Sequence, residues 1–136
     1  MNIESIRERI IGSGIIEKYR IHYIILFGSV ARNKAWRFSD IDIAVKGDFD
    51  FDKFLELVAD FEDILGENVS VIDVRCDDVV LLYEVFSHGK LIYCRDKTEY
   101  LEDKMKAIKL FIDFRQVLDK FYGRILNAFS GASEKN

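Results

Sequence analysis

The chain has 136 residues, of which 49% are hydrophobic and 32% charged, and its formal net charge is −4 at pH 7. This length and composition are those of one folded globular domain and exclude a disordered or fibrous chain. The negative charge disfavours a protein that binds nucleic acid mainly by neutralising phosphates, so we expect no stable direct nucleic-acid binding.

Neither the cysteines nor the hydrophobic segments indicate an extracellular or membrane protein. Cys76 and Cys94 lie in or beside apolar, strand-like runs and lack the spacing of a zinc site, so we expect both to be reduced. No apolar run reaches the length of a membrane span, and the N-terminus has no secretory cleavage site. We therefore expect a cytoplasmic protein without membrane association.

The first third of the chain predicts a helix followed by two strands. Ile3, Ile6 and Ile10 recur at helical spacing and predict a short amphipathic helix that ends near residues 12–14. The apolar run 22–27 predicts a buried strand that ends at Gly28, and a second strand follows over residues 41–45. A short helix beginning at Ser29 and a loop connect the two strands.

The second strand carries two aspartates one residue apart. Because side chains alternate along a strand, Asp40 and Asp42 share one face while Ile41 and Ile43 point to the other, which can pack into the core. Two carboxylates about 5 Å apart repel by roughly 3 kcal/mol at an effective dielectric constant near 20. We therefore expect a cation there, and Mg²⁺ is the natural candidate because carboxylates, waters and phosphate oxygens hold it.

The turn after the first strand has the residues that a phosphate group needs. Gly28 lets the backbone approach an anion closely, and Ser29 offers a hydroxyl donor. The helix that begins there would direct free N–H groups at the anion. The pair of aspartates and the glycine–serine turn together predict a site for a metal-bridged nucleoside triphosphate. The alternative is that Gly-Ser is an ordinary turn and Asp-x-Asp is a solvated strand edge.

The remaining pattern predicts an α/β (α+β) domain with a mixed sheet of about four strands flanked by helices. The predicted elements are a helix from Asp50 or Asp52 to Leu65 that stops at Gly66, a strand over 69–74, a helix over 79–87 capped by Asp77 and Asp78, and a strand over 91–94.

Asp73 is a lone aspartate in the otherwise apolar strand 69–74, where an unpaired carboxylate would be costly to bury. If this strand lies beside the strand that carries Asp40 and Asp42, Asp73 completes a cluster of three carboxylates. The alternative is that Asp73 ends the strand and pairs with Arg75 or with a backbone group.

A long helix is predicted over residues 98–130, and we expect a domain over 1–96, this helix over 97–130 and a frayed tail over 131–136. We expect one helix face to pack on the domain: Leu101, Met105, Ile108 and Ile112. A second, heptad-like face would bind a partner protein or a second copy of the chain: Leu110, Phe114, Val117 and Phe121. The alternative is a break near Gly123 and a helical hairpin.

Gly28-Ser29 is followed, after ten residues, by Asp40-Ile41-Asp42. This pattern resembles the Gly-Ser-x10-Asp-x-Asp motif of the polymerase-beta-like nucleotidyltransferase superfamily. With Arg32 as well, the chain is similar to the minimal nucleotidyltransferases (MNT), which are often antitoxin partners of HEPN-domain ribonuclease toxins. One departure is Asn33, where the motif often has glycine.

This resemblance implies a fold, an activity and a partner. The fold would be the polymerase-beta-like nucleotidyltransferase fold with a long C-terminal helix. The activity would be transfer of AMP from the substrate ATP to a hydroxyl of a HEPN toxin, for which the resemblance implies a tyrosine, with two Mg²⁺ ions as cofactors. Two rivals are a non-catalytic antitoxin that binds its toxin and a small-molecule nucleotidyltransferase of the aminoglycoside type.

The resemblance also assigns roles to residues of this chain. It implies that three aspartates are catalytic and bind the metal ions, namely Asp40, Asp42 and Asp73. Three residues would bind the nucleotide, namely Gly28, Ser29 and Arg32. The roles of Lys34, Trp36 and Arg37 stay open.

Overall fold

The computed structural model describes residues 2–28, 41–66 and 68–134, with side chains as far as residue 129. The elements in chain order are α1 (Ile3–Gly12), α2 (Ile15–Lys18), β1 (Ile21–Phe27), β2 (Ile41–Gly47), α3 (Phe51–Leu65), β3 (Val69–Asp73), α4 (Val79–His88), β4 (Lys90–Cys94) and α5 (Lys97–Glu134).

The strands form one mixed sheet in the order β3-β2-β1-β4. β1 lies between β2 and β4 and is antiparallel to both, whereas β2 and β3 are parallel. The predicted fold class, a mixed four-stranded sheet with flanking helices and a long C-terminal helix, is confirmed.

Side-chain alternation along β2 divides the core into two layers. Ile41, Ile43 and Val45 point to one face, which α1, α2 and α3 cover. Ala44 points to the other face, which packs against α4 and the first part of α5. Asp42 and Lys46 share the parity of Ala44 and therefore lie on this second face.

The helix ends have the predicted caps. The side chain of Asp50 accepts a hydrogen bond of 2.9 Å from the backbone N–H of Lys53 at the start of α3. Gly66 ends α3 with a φ of +64°, in the left-handed region that glycine adopts without strain. Asp78 caps α4 by accepting a bond of 3.0 Å from the N–H of Leu81.

α5 is one continuous helix of 38 residues, which corresponds to about 57 Å. It passes through Gly123 without a break, so the alternative of a helical hairpin is wrong. The helix continues to Glu134, and the frayed tail over 131–136 stays a prediction.

The face of α5 that packs on the domain differs from the predicted one. Leu101, Met105 and Ile112 are exposed, Met105 by 67%. Instead the ring of Tyr100 packs 5.5 Å from that of Tyr23, and the small side chain of Ala107 is buried against the same layer. These residues face the domain because β1 and α4 present aromatic rings there, and Ala107 allows the helix to come close.

The second half of α5 exposes many large apolar side chains. We call them the apolar surface of α5: Phe114, Val117, Phe121, Tyr122, Leu126 and Phe129. Phe129 is 80% exposed. Within the described ranges, no helix is both long and apolar enough to span a membrane.

Candidate active site

Gly28 and Asp42 meet where β1 ends and β2 begins. Phe27, the last residue of β1, pairs with Asp42 of the antiparallel β2, and Gly28 follows with a φ of +78°. A Cβ atom built on Gly28 would collide with Oδ2 of Asp42 and lie 3.2 Å from its Cγ. Only glycine therefore fits here, both for its backbone conformation and for the space that the carboxylate leaves.

The structure does not reach several of the predicted site residues. Asp40, Ser29 and Arg32 lie outside the described residues, and their predicted roles stay predictions. Lys34, Trp36 and Arg37 lie in the same segment, 29–40, and are likewise outside the described part of the chain.

Ser70 of β3 lies directly beside Asp42. The parallel register of β2 and β3 places Asp42 level with Ser70 and Ile43 level with Val71. Residues on one rung of a parallel pair lie about 4.8 Å apart and point to the same face. Ser70 is exposed and Asp42 is partly exposed, so a carboxylate and a hydroxyl share one solvent-accessible edge.

Asp73 does not join this edge, and the expectation of a cluster with Asp42 is wrong. Asp73 is level with Val45, three residues and therefore about 10 Å further along β2. An odd number of residues also reverses the face, so Asp73 points to the side of Val45 and away from that of Asp42. The two strands are neighbours as expected, but their register separates the two carboxylates.

Asp73 is bound to Arg75, which is the alternative that the sequence left open. Its carboxylate accepts hydrogen bonds from Nε of Arg75 at 3.0 Å and from Nη2 at 2.7 Å. Nη2 of Arg75 also donates to the carbonyl oxygen of Phe49 at 2.8 Å. The hydrogen bond to Asp73 raises the pKa of Arg75 above its already high value. Asp73 thus anchors the chain where β3 ends.

A second polar cluster joins the other end of the sheet to α5, and no pattern in the sequence predicted it. The two ring nitrogens of the buried His22 lie 2.9 Å from Asp48 and 2.8 Å from Glu99. Lys46 reaches Glu99 at 3.1 Å and Asp103 at 2.7 Å. Partners distant in the chain form this cluster, so no local spacing could have predicted it.

A cavity of about 350 Å³ lies between the second face of the sheet and helices α4 and α5. Lys46, Arg75, Asp103 and Lys106 are among its lining residues, so its polar lining is mainly cationic. Lys46 is four residues, or about 13 Å, along β2 from Asp42, so the cavity shares a face with Asp42 but is separate from it.

The residues at the Gly28–Asp42 edge fit a hard divalent cation. Mg²⁺ takes oxygen ligands and is held by one or two carboxylates together with phosphate oxygens. Asp42 and Ser70 offer a carboxylate and a hydroxyl, and Gly28 leaves the carboxylate uncovered by any side chain of its own. In residues 2–28, 41–66 and 68–134, no group of three or more His, Cys, Asp or Glu is placed to hold a metal ion.

Solved structures with a similar fold include two toxin–antitoxin complexes. One chain comes from the crystal structure of a toxin–antitoxin with AMP-PNP, with a TM-score of 0.74, 23% identity, and coverage of 88% of this chain and 98% of that one. Another comes from the tri-AMPylated Shewanella oneidensis HEPN toxin in complex with MNT antitoxin, with a TM-score of 0.69, 21% identity, and coverage of 91% and 98%. At these identities the likeness shows the shared fold.

Two related proteins of Methanocaldococcus jannaschii are provisionally named protein adenylyltransferases. One is 43% identical over 60 residues, which are 41% of this chain and 60% of the relative. The other is 43% identical over 58 residues, which are 41% of this chain and 59% of the relative. The chain therefore spans about three fifths of the length of these relatives.

The family model described as polymerase beta, nucleotidyltransferase matches residues 11–98, which include the Gly28–Asp42 edge and all four strands. This chain therefore belongs to the polymerase beta nucleotidyltransferase family.

Proposed function

We propose that this protein is a Mg²⁺-dependent nucleotidyltransferase that transfers AMP from ATP to a tyrosine hydroxyl of a HEPN-type toxin and thereby acts as its antitoxin. The observation that carries the proposal is the contact of Gly28 with Asp42 inside the family-matched region. The names of the related adenylyltransferases and the toxin–antitoxin complexes of similar fold support the substrate and the partner.

The proposed reaction forms one bond and breaks one. The tyrosine oxygen attacks the α-phosphorus of ATP, and the bond from that phosphorus to the oxygen bridging to the β-phosphate breaks. Pyrophosphate leaves with the electron pair, and the phenolic proton goes to solvent. The products are a tyrosine–AMP phosphodiester and pyrophosphate.

The chain's residues would position the reactants and offset their charge. Asp42, together with Asp40, would hold the metal ions at the start of β2. Gly28, with Ser29 and Arg32, would bind the terminal phosphates. Mg²⁺, when bound, supplies positive charge that lowers the repulsion between the triphosphate and the attacking oxygen. Such transfer depends on positioning and electrostatic stabilisation more than on covalent chemistry by the protein.

The apolar surface of α5 is the proposed binding surface for the toxin. Its side chains lie in the half of α5 beyond the part that packs on Tyr23 and α4. Contiguous exposed apolar patches on a small domain mark protein interaction sites, and a helix can present such a patch to a partner's groove. A homodimer through the same helix is the competing use of this surface.

A second candidate function is an antitoxin that neutralises its toxin by contact alone. Two observations favour it: the extent of the apolar surface of α5 and the separation of Asp73 from Asp42. A binding protein needs the surface but does not need a complete set of metal ligands.

Labelled ATP separates the two candidates. The protein is incubated with Mg²⁺, α-labelled ATP and the HEPN toxin from its genomic neighbourhood, and mass spectrometry locates the added AMP. We expect AMP on a toxin tyrosine with the wild type, and none with Asp42→Asn or Asp40→Ala. Asp52→Asn is the matched control, because it makes the same chemical change at an exposed position of α3 and should leave transfer intact. Toxin neutralisation without any label would contradict transfer and support contact alone.

A further inference from the structure

We propose that Ser70 occupies the position from which β3 would supply a third metal-binding carboxylate. β3 then adds no charged ligand beside Asp42, and the site favours an acidic acceptor hydroxyl, a phenol, over an alkyl alcohol. The proposal rests on the proposed function and adds to it the reason for the acceptor class.

The sheet register singles out position 70. Within Val69–Asp73, only Ser70 and Ile72 lie on the face that carries Asp42. Ile72 is partly buried and packs into the core layer of that face. Ser70 is level with Asp42 and exposed, so it is the one β3 residue whose polar side chain shares the edge with Asp42.

Asp73 does not replace the missing charge. It points to the opposite face and is held by Arg75 through hydrogen bonds of 2.7 and 3.0 Å. To reach Asp42 it would have to leave this partner and cross the sheet. β3 therefore brings a neutral hydroxyl to the metal edge.

A site with one carboxylate fewer holds its second cation less tightly, because the affinity for hard cations rises with the number of charged ligands. An acceptor that ionises easily would compensate, because its ionised oxygen would bring the negative charge that β3 does not supply. The phenol of tyrosine has a pKa of about 10. Water and alkyl alcohols have a much higher pKa and ionise far less readily. The structure thus matches tyrosine better than serine as the acceptor.

Metal binding, measured without turnover, tests whether position 70 could supply a third metal-binding carboxylate. Mn²⁺ titrations followed by electron paramagnetic resonance, with a non-hydrolysable ATP analogue, measure the number and affinity of bound ions. We expect Ser70→Asp to tighten the weaker ion on the order of tenfold, since it adds one charged ligand. Ser70→Asn adds an oxygen of similar placement to that of aspartate but without its charge, so the affinity should rise much less than in Ser70→Asp. Equal behaviour of the two variants would overturn the proposal.

A second arm tests the acceptor class on the complete toxin. The modified tyrosine is replaced by serine, and the rates of AMP transfer to the two toxins are compared. We expect Ser70→Asp to narrow the preference for tyrosine by about tenfold or more, and Ser70→Asn to narrow it much less. A preference that is unchanged in Ser70→Asp overturns the assigned acceptor class.

Two controls keep the outcomes distinct. If Asp42→Asn binds Mn²⁺ and nucleotide as the wild type does, the proposed function itself fails. If Asp42→Asn loses binding and Ser70→Asp gains none, only the inference about Ser70 fails. Thermal unfolding checks that each variant folds, and Ser70→Glu repeats the test with a longer carboxylate should Ser70→Asp unfold.

Discussion

The hydroxyl of Tyr23 donates a hydrogen bond of 2.7 Å to Asp103, and the Tyr23 side chain is fully buried. Lys46 donates to the same oxygen of Asp103 at 2.7 Å, so the carboxylate joins β1 and β2 to α5. Burial, together with this hydrogen bond, raises the pKa of Tyr23 far above its usual value, and the hydroxyl keeps its proton. This contact fixes α5 on the sheet face that also carries Asp42.

The first prediction concerns this contact. Tyr23→Phe keeps the ring but removes the hydroxyl, and Asp103 retains Lys46 as a partner. We therefore expect the free energy of unfolding to fall by about 1 kcal/mol, the typical net value of one hydrogen bond. Urea unfolding of the full chain measures it. Tyr122→Phe, at an exposed position of α5, is the control, and an equal effect of both substitutions would contradict the prediction.

The second prediction concerns Glu99 and acid. Burial alone would raise the pKa of Glu99, but hydrogen bonds from His22 and Lys46 outweigh it and hold the pKa below the usual 4.5. Because the folded pKa is the lower one, the stabilisation is complete above the unfolded value and is lost as the pH falls through the folded one. We expect the unfolding midpoint in urea to fall as the pH drops below about 4.5.

Glu99→Gln tests the source of this acid sensitivity. The variant lacks the ionisable group, so its stability should depend less on pH over the same acid range. Glu102→Gln is the matched control because Glu102 is exposed on the same helix. If the two variants show the same acid dependence, Glu99 is not its source.

β2 and β3 show why one prediction about the site was correct and another was wrong. Alternation along β2 alone was enough to place Ile43 in the core and Asp42 on the other face. The position of Asp73 relative to Asp42 depends on the register between β2 and β3, which alternation along one strand does not determine. A shift of one residue in register moves a side chain to the other face of a sheet. Only the register shows that the β3 side chain beside Asp42 is the hydroxyl of Ser70.

The packed face of α5 is a second feature that could not be predicted from the sequence. Its length and continuity follow from helical periodicity and the absence of proline. The face that packs does not, because apolar residues surround the helix and each stripe could contact the domain. The docked face was chosen by Tyr23 and the small Ala107, which are 84 residues apart in the chain and meet only in the fold. The polar cluster around His22 escaped prediction for the same reason.

The third prediction concerns Gly28. Gly28→Ala places a Cβ where Oδ2 of Asp42 lies and forces alanine into a left-handed backbone that costs about 1–2 kcal/mol. The strain lowers the stability of the fold, whereas the clash displaces the Asp42 carboxylate from the proposed metal and nucleotide site. We expect this displacement to lower nucleotide affinity by about tenfold or more, a loss of at least about 1.4 kcal/mol in binding free energy. Equilibrium binding of an ATP analogue measures it.

Gly123→Ala is the control for this substitution. A Cβ on Gly123 meets no atom within 4 Å, and alanine is the better helix former by roughly 0.5–1 kcal/mol. This variant should be slightly more stable than the wild type and bind nucleotide equally well. Unchanged nucleotide binding in Gly28→Ala would argue against a site at the Gly28–Asp42 edge.

The fourth prediction separates the two aspartates that the sequence grouped together. Asp73→Asn weakens the ion pair with Arg75 at the end of β3, and because Arg75 is partly exposed we expect a loss of only about 1 kcal/mol of stability. AMP transfer should stay within about threefold of the wild type, whereas Asp42→Asn should abolish transfer. If Asp73→Asn loses transfer while it remains folded, Asp73 has a role in the reaction that its position in β3 does not explain.

The last prediction concerns the apolar surface of α5. Phe114→Asp combined with Phe121→Asp places two charges at exposed positions of α5 that belong to neither of the two core layers. The monomer should therefore unfold at nearly the wild-type temperature, while binding to the toxin, measured by size exclusion and calorimetry, should be lost. Gln116→Asp is the matched control, since it adds a carboxylate to the same exposed stretch about 160° around the helix from Phe114. Toxin binding that survives the double substitution would show that the toxin docks elsewhere. If the variant still binds the toxin but no longer self-associates, the surface is that of a homodimer.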